Sequence, residues 1–253
     1  MSVFSCQWWP QQWLHQWFGS ARPPRVLCFV NHYFGPSQGF RGKSTNQEAS
    51  VRMWYVQNVV NALKALPGSK VVVCGVPGCA LIPLDFEFGS LQNPCHLVYA
   101  SLERMALEVG SWDYFINIED DVLLESAAFA QVLDFDKENL VNECLLPNRM
   151  ERQEGNAYCV DLQATPGWTC QFKKFKAATL RVGVSPHSGL SILSQAKLKY
   201  ALERVDLTRR DTIIGGPMAS AYANIHSPFS LYRPFDPVDF VTVVHQDNWE
   251  SSV

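Results

Sequence analysis

Residues 112–124 read WDYFINIEDDVLL, and the rest of the chain is organised around this stretch. Tyr114 to Ile118 are aromatic or β-branched except for Asn117, which is typical of a buried central strand. The strand ends in consecutive carboxylates, Glu119 to Asp121, and apolar residues then resume. Adjacent acids repel one another, and a hard divalent cation with oxygen ligands would relieve that repulsion. Alternatively, the acids cap the helix that follows.

Composition limits the classes of protein to consider. A chain of 253 residues with 47% hydrophobic and 18% charged residues is long enough to bury a large core. The net charge of −3 gives no reason to expect a nucleic-acid partner. No apolar run approaches the ~20 residues that span a bilayer. The 8 cysteines form no C-x-x-C pair and no secretory signal is recognisable, so we expect a reduced, cytoplasmic setting.

The first half of the chain alternates strands and helices. Strand patterns at 26–30, 71–73 and 114–118 are separated by two stretches with helical periodicity, around 53–63 and 98–109. This order predicts a doubly wound α/β sheet with parallel strands. Ligands bind beyond the carboxyl ends of such strands. Asn31-His32 and Glu119–Asp121 both follow strands, so we expect them to share one crevice.

The second half is less regular. Residues 147–176 are polar and aromatic, and a solvated hairpin is the preferred interpretation of their lysines. A helix is predicted to start near Ser194, and another opens at Gly215-Gly216-Pro217. A last strand is predicted at 239–244, directly before His245. Residues 134–139 resemble the start of a calcium loop but lack its glycine and glutamate, so we reject that interpretation.

The N-terminal segment, residues 1–24, is rich in tryptophan. Its indoles are spaced to share one face of a short helix, an arrangement that favours a membrane–water interface. Arg22 is its only basic residue, so attraction to anionic lipid is weak. The segment therefore predicts either peripheral contact with the inner face of a membrane or packing on the domain or a partner. The tryptophans concerned are Trp8, Trp9, Trp13 and Trp17.

The strand ending in Glu-Asp-Asp, placed after an earlier nucleotide-facing strand and before a late histidine, resembles the GT-A family of nucleotide-sugar-dependent glycosyltransferases. INIEDDVLL is similar to the acidic D-x-D-type motif of that family. The resemblance implies a single Rossmann-like domain over 25–253, with a mixed, mostly parallel central sheet and helices on both faces. It implies a nucleotide-sugar-binding half at 25–133 and an acceptor-binding half at 134–253.

The resemblance also implies an activity and a site. The chain would be a metal-dependent glycosyltransferase that uses Mn²⁺ or Mg²⁺, with a nucleotide-sugar donor and a glycan, lipid-linked or small-molecule acceptor. Asp121 and His245 would bind the metal. The donor would contact Asn31, His32, Arg52, Glu119 and Asp120.

The remaining roles are predicted less directly. An inverting reaction needs a carboxylate base, for which Asp211 is the choice, with Asp206 and Asp247 as competitors and helix capping as the alternative for each. His187 and Ser188 could line the acceptor pocket, but a His-Ser pair alone is no hydrolase triad. Arg52 and Lys43 could offset phosphate charge, or could be exposed surface charges.

Two other functions stay open. A nucleotidyltransferase would use a related α/β sheet with acidic metal ligands, and would carry a glycine-rich basic loop after its first strand. The chain has a loose version of such a loop, containing Gly35, Gly39, Arg41, Gly42 and Lys43. A non-catalytic membrane-surface or interaction protein on a degenerate glycosyltransferase scaffold is the third possibility. The clustered acids and His245 argue against it.

Overall fold

The structure is a computed structural model that describes residues 22–35, 48–89, 91, 93–153, 155–163, 168–183, 189–210 and 216–247. The described strands are β1 (Val26–His32), β2 (Ser69–Gly75), β3 (Phe86–Glu87), β4 (Tyr114–Glu119), β5 (Val122–Leu123), β6 (Glu143–Leu145), β7 (Asn148–Gln153), β8 (Asn156–Cys159), β9 (Trp168–Phe175), β10 (Ala178–Gly183), β11 (Leu190–Ser194), β12 (Ser230–Asp236) and β13 (Thr242–His245). The described helices are α1 (Ala49–Lys64), α2 (Leu97–Ala106), α3 (Ser126–Glu138), α4 (Val160–Gln163), α5 (Gln195–Leu202) and α6 (Pro217–His226), with a 3₁₀ turn at Pro94–His96.

The largest sheet has 5 strands in the order β11-β4-β1-β2-β3. Strand β1 lies between β2 and β4 and is parallel to both, while β11 pairs with β4 in the antiparallel direction. The crossovers between the parallel strands are made by α1 and α2, as parallel pairing requires. The predicted α/β fold, with a mixed, mostly parallel central sheet, is confirmed.

Both faces of this sheet are covered by helices. Along β1, Cys28 and Val30 point into a core shared with α1 and α3, whereas Leu27 and Phe29 point into a core shared with α2, α5 and α6. A strand buried on both sides reads as a continuous apolar run instead of an alternating one. That is why residues 26–30 are all apolar.

Two smaller sheets, each of 4 strands, complete the fold in the orders β6-β12-β10-β9 and β5-β13-β7-β8. The second of these lies next to the acidic residues. Strand β5 follows the acidic residues directly, and it pairs antiparallel with β13 near the end of the described chain. Strand β7 pairs with the other side of β13 in the parallel direction. Residues far apart in sequence therefore meet at the end of β4.

The predicted starts of two late helices are confirmed. Ser194 is the N-cap of α5 and accepts a hydrogen bond from the backbone N–H of Lys197 at 3.4 Å. Pro217 is in the first turn of α6. The last strand is predicted at 239–244, but in the structure it is β13, which covers only Thr242–His245 and so begins later and is shorter. Residues 134–138 lie within α3, so the rejection of a calcium loop there is consistent with the structure.

Other sequence predictions concern residues that the structure does not describe. The tryptophan-rich positions 8, 9, 13 and 17 lie outside the described residues, as do Gly39, Arg41, Gly42 and Lys43. Within the described residues, no helix combines the length and the apolar character needed to cross a membrane. The division of the domain into halves at 25–133 and 134–253 stays a prediction.

Candidate active site

The acidic turn lies at the carboxyl edge of the two central strands. Strands β1 and β4 pair in a register that sets Asn31 opposite Glu119. Glu119, Asp120 and Asp121 are all buried, with exposed fractions of 6%, 3% and 1%. The next helix, α3, begins only at Ser126 and has Glu125 as its N-cap residue, so the acids do not cap it. Buried carboxylates need compensating partners.

His245 and Asp247 are brought to this turn by the small sheet. Strand β13 aligns His245 with Val122, the residue directly after Asp121. The backbone N–H of Gln246 also donates to the carbonyl of Asp121 at 2.9 Å. As a result, Nε2 of His245 lies 3.8 Å from Oδ2 of Asp121 and 3.1 Å from Oδ1 of Asp247.

Asp121, His245 and Asp247 form a candidate metal site. Each offers one ligand atom, and these atoms all lie within 4.8 Å of one another. Two carboxylates and one imidazole are ligands for divalent cations, since carboxylates suit Mg²⁺ and Mn²⁺ and imidazole suits Zn²⁺ and Fe²⁺. The donor chemistry therefore fits a divalent cation. The sequence predicts Asp247 as a competing base or as a helix cap, although its His-x-Asp spacing after a strand is a signal for a metal ligand.

Arg52 supplies positive charge inside the same cluster. It comes from the first turn of α1 and is only 5% exposed, so it is not an exposed surface charge. Its guanidinium donates to Asp120 and, at 2.8 Å, to Oδ2 of Asp121, and lies 4.0 Å from Oδ2 of Asp247. Burial acts to lower the pKa of Arg52, but the charges of these three aspartates outweigh it, and the pKa lies above its ordinary value.

His32 lies behind the acidic turn and holds Asp120 in place. It is fully buried, with Nδ1 at 2.6 Å from Oδ2 of Asp120 and Nε2 accepting from the backbone N–H of Leu81 at 2.8 Å. Because Nε2 is an acceptor, the ring proton must be on Nδ1 and is donated to the carboxylate. The sequence predicts that His32 contacts a donor molecule. In the structure His32 does not line the pocket described below, and protein groups occupy both of its ring nitrogens.

Asn31 belongs to a buried polar network under the pocket. Its Nδ2 donates to Oδ1 of Asn117 at 2.7 Å, and its Oδ1 accepts from Oγ of Ser101 at 2.5 Å. The hydroxyl of Tyr222 donates to the same Oδ1 of Asn117 at 3.3 Å. Burial, and then the charge of Glu119, raise the pKa of Tyr222 well above its ordinary value, so its hydroxyl keeps its proton. The network explains why β4 contains a polar residue among apolar ones.

A pocket that is open to solvent lies above these groups. Its lining combines charged and polar side chains with apolar ones. A pocket of this kind suits a ligand that has one charged end and one planar or apolar part. Its lining residues are Asn31, Tyr33, Arg52, Pro94, Leu97, Val98, Glu119, Asp120, Asp121 and Met218.

Several predicted site residues are not brought to this cluster by the described structure. Asp211, His187 and Ser188 lie outside the described residues. Asp206 is described, and its Oδ1 accepts from the backbone N–H and the hydroxyl of Thr208 at 3.0 and 2.6 Å. It therefore stabilises a local turn and caps none of the described helices, since α5 ends at Leu202 and α6 begins at Pro217.

Sequence reasoning missed one residue of the site, Glu151. It lies on β7, is fully buried, and its Oε1 is 2.5 Å from Nδ1 of His245. No local pattern singles it out, because most of its neighbours between Asn148 and Gln153 are also polar.

Comparisons with known proteins do not assign a family. No family model matches the chain, and neither does any curated protein. One similar solved structure is the mannose-1-phosphate geranyltransferase from Thermus thermophilus, with 12% sequence identity and a TM-score of 0.40 over 88% of this chain and 76% of that one. Likeness at this level carries no functional inference, so the assignment depends on the site itself.

Proposed function

We propose that this chain is a metal-dependent glycosyltransferase that moves a sugar from a nucleotide-sugar donor to an acceptor hydroxyl. The observation that carries the proposal is the candidate metal site, Asp121, His245 and Asp247, beside Arg52 at the carboxyl edge of a parallel sheet. In open α/β sheets this edge is where ligands bind. The pocket that opens there supports the same proposal.

The charges suit a diphosphate that is held through a cation. Cleavage of a sugar–diphosphate bond develops negative charge on the leaving phosphate, and Mn²⁺ or Mg²⁺ bound at the candidate metal site would offset it as a Lewis acid. Without a cation the buried carboxylates would repel the diphosphate. Arg52 is a fixed positive charge at the pocket wall, where it would face the same phosphates.

The pocket also suits the other parts of a nucleotide-sugar donor. Glu119 and Asp120 line it, and their oxygens would accept hydrogen bonds from donor hydroxyls. Asp120 would do so from a fixed position, because His32 and Arg52 both donate to it. The apolar side chains of the lining, which include Leu97, would cover a planar base. Asn31 would reach the donor from the network at the pocket floor.

The acceptor side is proposed from sequence. We retain Asp211 as the base, with His187 and Ser188 at the acceptor pocket, and a glycan, lipid-linked or small-molecule acceptor. Asp247 is assigned to the metal instead of to base catalysis, because its Oδ1 lies 3.1 Å from Nε2 of His245. A donor half at 25–133 and an acceptor half at 134–253 belong to the same proposal.

The test is calorimetric titration with UDP, GDP and CDP, with and without Mn²⁺. We expect one nucleotide to bind in a metal-dependent way, and Asp121→Asn to weaken that binding at least about tenfold, because it removes a charged ligand. Asp134→Asn is the matched control, since this acid lies on α3 and pairs with Lys137 at 2.9 Å. Failure of every nucleotide to bind would refute the donor site.

A product assay separates this proposal from the nucleotidyltransferase alternative. A glycosyltransferase releases a nucleoside diphosphate from its nucleotide sugar, slowly even to water. A nucleotidyltransferase exchanges pyrophosphate with the nucleotide sugar and forms a nucleoside triphosphate. Metal-dependent triphosphate formation would therefore refute the glycosyltransferase proposal while retaining the metal site.

A further inference from the structure

Glu151 and His245 form a fully buried pair next to the candidate metal site. Both have an exposed fraction of 0%, and Oε1 of Glu151 is 2.5 Å from Nδ1 of His245. A carboxylate oxygen can only accept, so the Nδ1 atom is the donor and carries a proton. The other ring nitrogen, Nε2, is the atom that faces Asp121 and Asp247.

The pair is built by the register of the small sheet. Strands β7 and β13 are parallel and pair Thr242 with Asn148 and Val244 with Met150. The next step of the same register sets His245 beside Glu151. On its other side, β13 aligns His245 with Val122, the neighbour of Asp121. The imidazole thus has Nδ1 directed at Glu151 on β7 and Nε2 directed at Asp121, which directly precedes β5.

We propose that Glu151 is a positioning residue for the metal site. Its carboxylate keeps a proton on Nδ1 of His245 and fixes the ring, so that Nε2 is presented as a metal ligand. The inference rests on the proposed function only through its metal site, and holds whatever nucleotide or sugar is used. Histidines that bind metals commonly donate their other N–H to a carboxylate in this way, and loss of the carboxylate weakens metal binding about 10- to 100-fold.

A simpler role for Glu151 would be to add negative charge near a cation. The two roles make different predictions for two substitutions. Glu151→Met removes both the charge and the acceptor. Glu151→Gln removes the charge but keeps an oxygen that accepts from Nδ1–H. Positioning predicts that the Gln variant behaves much more like the wild type than the Met variant does, whereas a pure charge effect predicts equal losses.

The experiment uses the full chain and Mn²⁺ alone. Affinity is measured by calorimetry, and the nitrogen modulation of the electron spin echo of bound Mn²⁺ reports whether an imidazole is coordinated. For Glu151→Met we expect about 10- to 100-fold weaker binding and loss of the nitrogen signal. For Glu151→Gln we expect the signal to remain and a smaller loss of affinity. His245→Ala is the reference that lacks the imidazole, and thermal unfolding confirms that each variant folds.

Two results would overturn the inference. If Glu151→Met binds Mn²⁺ as tightly as the wild type, Glu151 has no role at the metal. If both variants lose affinity equally and keep the nitrogen signal, Glu151 acts through charge alone. Should Glu151→Met fail to fold, the Glu151→Gln variant decides. If Glu151→Gln is as stable as the wild type but its bound Mn²⁺ shows no nitrogen signal, positioning of His245 by the remaining oxygen is contradicted. A wild type that binds Mn²⁺ but no nucleotide refutes the proposed function and leaves this test intact, whereas one that binds no Mn²⁺ refutes both.

Discussion

Replacement of Arg52 by methionine tests whether the charge balance of the site is as the structure indicates. Methionine has a similar reach and no charge, so Arg52→Met removes the guanidinium without opening a large cavity. In the wild type this group donates to Asp120 and Asp121 and lies 4.0 Å from Asp247. The variant leaves these buried carboxylates facing one another with their main counter-charge gone. We therefore expect a large loss of stability in metal-free buffer.

The size of the loss follows from the burial of the partners. Arg52 and the two aspartates to which it donates have side chains that are 6%, 4% and 2% exposed. Removal of one partner of a buried ion pair costs about 3–5 kcal/mol. For a domain of this size each kcal/mol lowers Tm by roughly 2–4 °C, so the expected decrease is roughly 6–20 °C.

A divalent cation should reverse much of this loss. At a free concentration of about 100 times its Kd, a ligand that binds only the folded state stabilises it by about 2.7 kcal/mol. In Arg52→Met the cation would also replace the lost counter-charge, so Mn²⁺ should raise Tm more in the variant than in the wild type.

The assay is differential scanning calorimetry of both proteins with EDTA and with excess Mn²⁺. Arg104→Met is the matched control, because Arg104 pairs with Glu108 at 2.9 Å with its side chain 31% exposed, and such pairs contribute about 0–1 kcal/mol. The reasoning is refuted if Arg52→Met costs less than about 1 kcal/mol, or if Mn²⁺ leaves the gap between variant and wild type unchanged.

Two further substitutions test the fold around the site. Lys197→Met should cost about 3–5 kcal/mol at neutral pH, because it leaves the carboxylate of Asp136 buried without its ammonium partner. Burial already raises the pKa of Asp136. A group with a raised folded-state pKa contributes stability below its unfolded-state pKa, and that contribution is lost as pH rises. Urea unfolding should therefore show a smaller loss of stability in acid than at neutral pH, and an equal loss at both pH values would contradict this. Gly189→Ala places a methyl group 2.7 Å from Cγ2 of Val122 at a φ of +66°, which should cost about 1–3 kcal/mol more than the backbone strain alone. Gly155→Ala, at a φ of +82° with open space around it, gives the cost of the backbone strain alone, about 1 kcal/mol, in the same unfolding assay. Equal losses of stability in the two variants would show that the side chain of Val122 moves aside without cost.

Part of the site could be predicted from sequence because it depends on local pattern. The apolar runs of β1 and β4 identify buried strands, and residues that follow parallel neighbours must lie at the same edge. That reasoning correctly set Asn31 near Glu119. Arg52 could also have been found with more certainty. It precedes Val56 by four positions and so lies on the buried face of α1, where a charged residue needs a partner.

The rest could not be predicted because it depends on the register of distant strands. Glu151 and His245 are 94 residues apart and meet only because β13 inserts between β5 and β7. The order of such short strands in a small sheet is decided by packing against the whole domain, and no periodicity along the chain encodes it. The surroundings of His32 also depend on a distant segment. A histidine after a strand suggested ligand contact, but the position of Leu81 gives its second nitrogen a structural partner.

The adjacent acids Asp120 and Asp121 have different partners in the structure. Asp120 accepts from His32 on one oxygen and from Arg52 on the other, so neighbouring protein groups already hold it. Asp121 accepts from Arg52 on Oδ2, and that same oxygen lies 3.8 Å from Nε2 of His245, another residue of the candidate metal site. Arg52 therefore links Asp120, which neighbouring protein groups hold, to Asp121, which belongs to the candidate metal site. A shift of α1 would disturb both acids together, so this helix couples the packing of the sheet to the candidate metal site at its edge.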